Sequence, residues 1–89
     1  YPGISPLHCF LKDTKRARYT AASDEDALKA FKIVSKLETL RPSLEPCHAF
    51  SVAISEAKKL SKNTIVVVNS CGDANKDRKI LKKKLGISL

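Results

Sequence analysis

Between Ala27 and Leu37 apolar side chains recur at three- and four-residue spacing: Ala27, Ala30, Phe31, Val34 and Leu37 share one side, with Lys29, Lys32 and Lys36 opposite. That period predicts an amphipathic helix with one buried stripe and one wet face, running through about Glu38. Ser23 can cap its start, and Asp24, Glu25 and Asp26 meet the positive end of its dipole. Arg41-Pro42 ends that helix, because a residue before proline is pushed out of the helical region. Pro46 suits the first turn of a second helix, with Ala49, Val52, Ala53, Ala57 and Leu60 along one side and Lys58 and Lys59 at its negative end.

The pattern then changes period. Ile65–Val68 is a β-branched run with no polar alternation, which predicts a central strand covered on both faces. It runs into Asn69, Ser70, Cys71 and Gly72, as a buried parallel strand does when it presents polar groups to a ligand at its carboxyl end. Asp77–Leu85 follows as a lysine-rich helix carrying Ile80, Leu81 and Leu85, with Gly86 placed to end it. Before the first long helix, Pro2, Gly3 and Pro6 predict an irregular stretch leading into a short turn or helix at Cys9–Leu11, and Arg18–Ala22 a short strand. The expected class is therefore α/β, with residues 1–89 forming a single unit and no internal repeat.

Composition narrows the function classes. Eighty-nine residues with 43% hydrophobic and 29% charged content make one domain at most, with a core to bury. No apolar run approaches the roughly 18 residues of a membrane helix, so no membrane partner is expected. Three cysteines, at 9, 47 and 71, form no CxxC pair, and an odd count argues against a disulfide framework and for a reducing, cytoplasmic setting. A chain without methionine that opens Tyr-Pro-Gly reads as a piece of a longer protein. The net charge of +8 attracts polyanions in general and falls mainly in Lys12–Arg18 and Lys76–Lys84, but the second cluster has no aromatic interleaved and the chain has no glycine-aromatic RNA-binding motif. A non-catalytic basic module that binds an acidic partner or nucleic acid through Lys76–Lys84 is the alternative reading. Adjacent residues such as His8-Cys9 and Cys47-His48 have no usual zinc spacing.

Four ordered segments resemble the tryptophan synthase beta-chain family, within the fold-type II pyridoxal-phosphate enzymes. Val67-Val68-Asn69-Ser70-Cys71-Gly72-Asp73-Ala74-Asn75-Lys76-Asp77 is similar to the family's Val-Val-Asn-Leu-Ser-Gly-Arg-Gly-Asp-Lys-Asp. Tyr1–Pro6 with Leu11–Asp13 resembles its Tyr-Pro-Gly-Val-Gly-Pro and Tyr-Leu-Lys-Asp. Asp24–Lys32 resembles its Asp-Asp-Glu-Ala-Leu-Glu-Ala-Phe-Lys, and Pro42–Phe50 its Pro-Ala-Leu-Glu-Ser-Ser-His-Ala-Leu. The resemblance covers nearly the whole chain and corresponds to roughly the last quarter of a beta chain.

The resemblance implies part of a parallel-sheet, three-layer enzyme that condenses indole with L-serine to L-tryptophan, with a possible alpha-chain partner and homodimer. A related pyridoxal-phosphate enzyme with another substrate is also consistent with it. The family's cofactor-anchoring lysine, phosphate loop and acid-base glutamate lie upstream of Tyr1, so no catalytic residue is expected here and the piece alone is expected to be inactive. The family's serine that hydrogen-bonds the pyridine nitrogen falls on Cys71, whose thiol is a weaker neutral donor. Ser70 is the neighbouring candidate, and Gly72 would let the backbone pass close to the ring. Taken without the resemblance, Cys71 is a small buried hydrophobe at a strand end.

Glu45 falls on a glutamate near the cofactor ring, and by itself is a carboxylate suited to a helix start. His48 matches a family histidine, in a position where packing or hydrogen bonding is the commoner use. Tyr1 and Gly3 match positions whose backbone carbonyls help hold a monovalent cation. Asp73, Ala74 and Asn75 depart from the family's arginine, glycine and aspartate, which affects the geometry of the turn.

Overall fold

Ser23 does what its position predicts. In the computed structural model, which describes residues 3–88, its Oγ accepts from the Asp26 amide at 3.1 Å, and its own amide and hydroxyl donate to Asp26 Oδ2 at 3.3 and 2.8 Å. This reciprocal capping box opens helix α2, Asp24–Leu37. Three further helices accompany it: α1, Pro6–Asp13; α3, Leu44–Ala57; and α4, Arg78–Leu85, entered through a 3₁₀ turn at Ala74–Asp77.

Helix α1 is longer than the sequence suggests, because Ser5 caps it and Pro6 occupies a first-turn position where its missing amide hydrogen costs nothing. Gly86 closes α4 in the left-handed conformation, φ 67°, its amide donating to the Lys82 carbonyl.

The core lies where α2 and α3 pack and α4 crosses. Ala27, Phe31, Cys47, Ala74 and Leu81 are each 1% exposed or less, with Leu28, Leu44, Leu85 and Ile87 packed around them. The stripe on α2 is as the period predicts through Val34, but Leu37, the last residue of the helix, stays 73% exposed. On α3 the buried side is not the expected one. Pro46 and Cys47 are buried, Cys47 in the cluster with Ala27 and Phe31 of α2, whereas Ala49, Ala57 and Leu60 are exposed and Val52 and Ala53 half-buried. Both faces of this helix carry small apolar side chains, so composition alone could not select between them.

The predicted sheet is the larger departure. Ile65–Val68 and Arg18–Ala22 are extended but form no ladder, and the one bridge among the described residues is antiparallel, between Pro42 and Asp73. Ile65 and Val67 are 86% and 87% exposed. A strand exists only through a partner's backbone, and no other described segment lies alongside either one. What the residues describe is therefore a helical unit flanked by two extended segments. No helix among them is long and apolar enough to cross a membrane.

Candidate functional site

Chain segments 41–45 and 71–77 are stitched together by side chains and backbone. The Ala74 amide donates to the Arg41 carbonyl at 3.1 Å, beside the Pro42–Asp73 bridge. Ser43, at the N-cap of α3, makes no side-chain cap. Its buried hydroxyl instead sits 3.0 Å from the Cys71 carbonyl and 3.2 Å from Glu45 Oε2, with one proton shared between two acceptors. The cap it leaves vacant comes from 33 residues away, where Asp77 Oδ2 accepts from the Leu44 amide at 2.8 Å. An anion at a helix start satisfies an orphan donor and the dipole together.

Gly72 lies in this junction with φ 86°. A β-carbon there would stand 2.8 Å from Ser43 Oγ and 3.3 Å from Ser43 Cβ. Because Ser43 is fully buried, it has little room to yield, and only glycine fits both the dihedral and the space.

Cys71 and Ser70 are exposed at the tip of the turn. This removes the reading of Cys71 as a buried hydrophobe; the buried thiol is Cys47, which burial and then nearby Asp77 push up to about 11, so it stays protonated and unreactive. All three carboxylates of the junction are engaged: Asp77 accepts from Leu44, Asp73 from the Asn75 amide at 2.8 Å, and Glu45 pairs with Lys76. The Lys76–Glu45 hydrogen bond holds the Glu45 carboxyl below its ordinary value and the Lys76 ammonium above its own. The tip therefore offers a hydroxyl and a thiol beside a glycine, one hydroxyl away from the Lys76–Glu45 ion pair.

The structure thus brings Glu45, Ser70, Cys71 and Gly72 to one junction. His48 lies apart from the tip. Its Nδ1 faces the Leu44 and Glu45 carbonyls at 3.0 and 3.2 Å and its Nε2 faces Asp24 Oδ1 at 3.2 Å. Partial burial pulls this imidazole down, but Asp24 and the two carbonyls outweigh it and hold it above its ordinary value. It ties the starts of α2 and α3 together.

Tyr1 lies outside the described residues. Gly3 is exposed and stands in open space. No cluster of three or more metal-ligating side chains occurs among the described residues. From the sequence, Ser43 and Asp77 are not placed in the site, and Lys76 enters only as part of the Lys76–Lys84 basic cluster. Ser43 could have been, as a serine at a helix start; the contacts of Lys76 and Asp77 cross more than 30 positions and leave no local signal.

No family model matches the chain. Among curated proteins it is similar to the tryptophan synthase beta chain of Vesicomyosocius okutanii, 47% identical over 77 residues, covering 86% of this chain and 19% of that protein. It is also similar to the tryptophan synthase beta chain of Fusobacterium nucleatum, 46% identical over 77 residues, covering 86% of this chain and 20% of the relative. The chain spans about a fifth of the length of these relatives.

Proposed function

Starting from a chain homologous over 77 residues to tryptophan synthase beta chains, we propose that it forms part of such a beta chain and contributes one edge of a pyridoxal-phosphate site. The complete protein would then condense indole with L-serine to L-tryptophan, as a lyase of the cytoplasm, with an alpha chain or a second beta chain as possible assembly partners. The segment itself supplies no anchoring lysine and would be inactive alone. The identity over most of its length carries this reading, and the Ser43-linked junction supports it.

When bound, pyridoxal phosphate supplies the electron sink. This chain's residues have the positioning work. Cys71 would donate a hydrogen bond to the ring nitrogen, with Ser70 as the adjacent donor. Gly72 keeps the backbone low beneath that point. Ser43 fixes the turn by its bond to the Cys71 carbonyl, and Lys76 keeps Glu45 ionised and paired. A cation held by the Tyr1 and Gly3 carbonyls belongs to the same proposal.

The test is a chimera in which this chain replaces the matching segment of the Fusobacterium nucleatum beta chain. It should show visible cofactor absorbance that changes on adding serine, and should consume indole. Cys71→Ser should retain that spectrum, while Cys71→Ala should weaken turnover about 2- to 10-fold, the worth of one neutral hydrogen bond. A chimera whose absorbance ignores serine overturns the reading.

A further inference from the structure

The basic run Lys12–Arg18 shares no residue with the junction, and the fold gathers it around a surface cavity of about 270 Å³. Lys12, Lys15 and Arg18 line this cavity together with Ala17 and Tyr19, and no described carboxylate does. Asp13, the one acid within the run, is not among the lining residues. Among the described residues Lys12 and Lys15 pair with no carboxylate. Arg18 commits one nitrogen to Glu56 at 3.3 Å and keeps its other donors free. The Tyr19 hydroxyl is held 2.7 Å from His8 Nδ1, which fixes the phenol in place.

Lys15 carries the argument. Among the described residues it is the one side chain other than glycine at positive φ, 59°. It stands just past Thr14, the C-cap of α1. Its amide donates to the Lys12 carbonyl and the Arg16 amide to the Leu11 carbonyl, both at 3.0 Å. That closure favours glycine, because a β-carbon is strained in the left-handed conformation. The charge of Lys15 is not needed to finish the helix either. Backbone amides already take the Phe10, Leu11 and Lys12 carbonyls, and the Thr14 hydroxyl adds a bond to Phe10 at 2.7 Å. A long cation is thus held where glycine fits better, beside two further cations that repel it. Strain and repulsion both raise the energy of the folded chain, and a bound anion offsets the second.

We propose that the cavity of Lys12, Lys15 and Arg18 binds a multiply charged phosphate, as a phosphate ester or an oligophosphate. Two ammonium groups supply mobile point charges, and the guanidinium supplies a planar fork that matches two phosphate oxygens. The three cations converge on one cavity and are not strung along a groove, which suits a compact anion over a strand of nucleic acid. This site does not depend on the reading of the chain as part of a beta chain.

Chemical-shift titration of the 89-residue chain tests it, in phosphate-free buffer at about 0.1 M salt, where attraction is screened beyond about 10 Å. The probes are ribose 5-phosphate, tripolyphosphate and a short single-stranded oligonucleotide. A small probe should shift the signals of Lys12–Tyr19 saturably. Saturation first by ribose 5-phosphate identifies an ester, and first by tripolyphosphate an oligophosphate. Lys15→Gly should raise the urea midpoint and yet weaken binding at least about 10-fold, the worth of one charge-assisted hydrogen bond. That pairing separates a binding residue from a structural one, which would gain stability and lose nothing. Lys82→Ala, on exposed α4 surface, removes the same charge outside the cavity and should change binding by less than about 2-fold. Equal losses from both variants assign the binding to net charge and overturn the site. So does unchanged binding in Lys15→Gly, or a response to the oligonucleotide alone.

Discussion

Gly72 concentrates three demands in one residue: a left-handed dihedral, close approach to Ser43, and a place next to the candidate donor Cys71. Alanine there meets Ser43 Oγ at 2.8 Å and adopts a dihedral that costs an L residue about 1–2 kcal/mol by itself. We expect Gly72→Ala to lower unfolding stability by about 2–3 kcal/mol, checked by urea denaturation, with the steric clash adding to the dihedral cost. Gly3→Ala, in open space, should be nearly silent. Cys71 and Cys47 make the complementary point. The residue type is the same, but one thiol is exposed at a turn and the other is sealed in the core with its proton held.

Helices α2 and α3 start by different means, although both follow a serine. At α2 the cap is local and reciprocal, within Ser23–Asp26. At α3 the serine is committed to the Cys71 turn, and Asp77 from the last element supplies the cap. Asp77→Ala should therefore cost about 0.5–2 kcal/mol, the range for losing a cap, and should also loosen the 71–77 turn. Calorimetry gives the stability, and exchange at the Leu44 amide identifies the bond that is lost. Ser23→Ala should cost a similar amount without changing exchange at Leu44.

At the scale of the whole molecule, His48 links the two helix starts around which the small core is built. Its proton is held more tightly in the folded chain than in the unfolded one. The stabilisation is therefore complete below the free imidazole value of about 6.5 and is lost as pH rises through the higher folded value. Denaturation midpoints followed upward from pH 5.5 should fall through that window, and His48→Gln should remove this fall. A substituted chain with the same pH slope would show that another group carries it. The exposed apolar residues Ile65 and Val67 belong to this scale too, since no described residue covers them.

The sequence by itself determined the long helices, the α2 stripe, the Gly86 terminus and the family resemblance, because each is written in local spacing or in ordered motifs a few residues long. By resemblance it also proposed Glu45 and Cys71 for one site. Tertiary structure decided which side of α3 faces the core, which cysteine is buried, who caps α3, and that Ser43 joins the Glu45 and Cys71 segments. Those outcomes depend on contacts across about 30 positions of chain, where no periodicity reaches. The apolar run at Ile65–Val68 announced a strand, yet a strand is a relation between two backbones. Among the described residues no second backbone pairs with it, so the run remains an open edge.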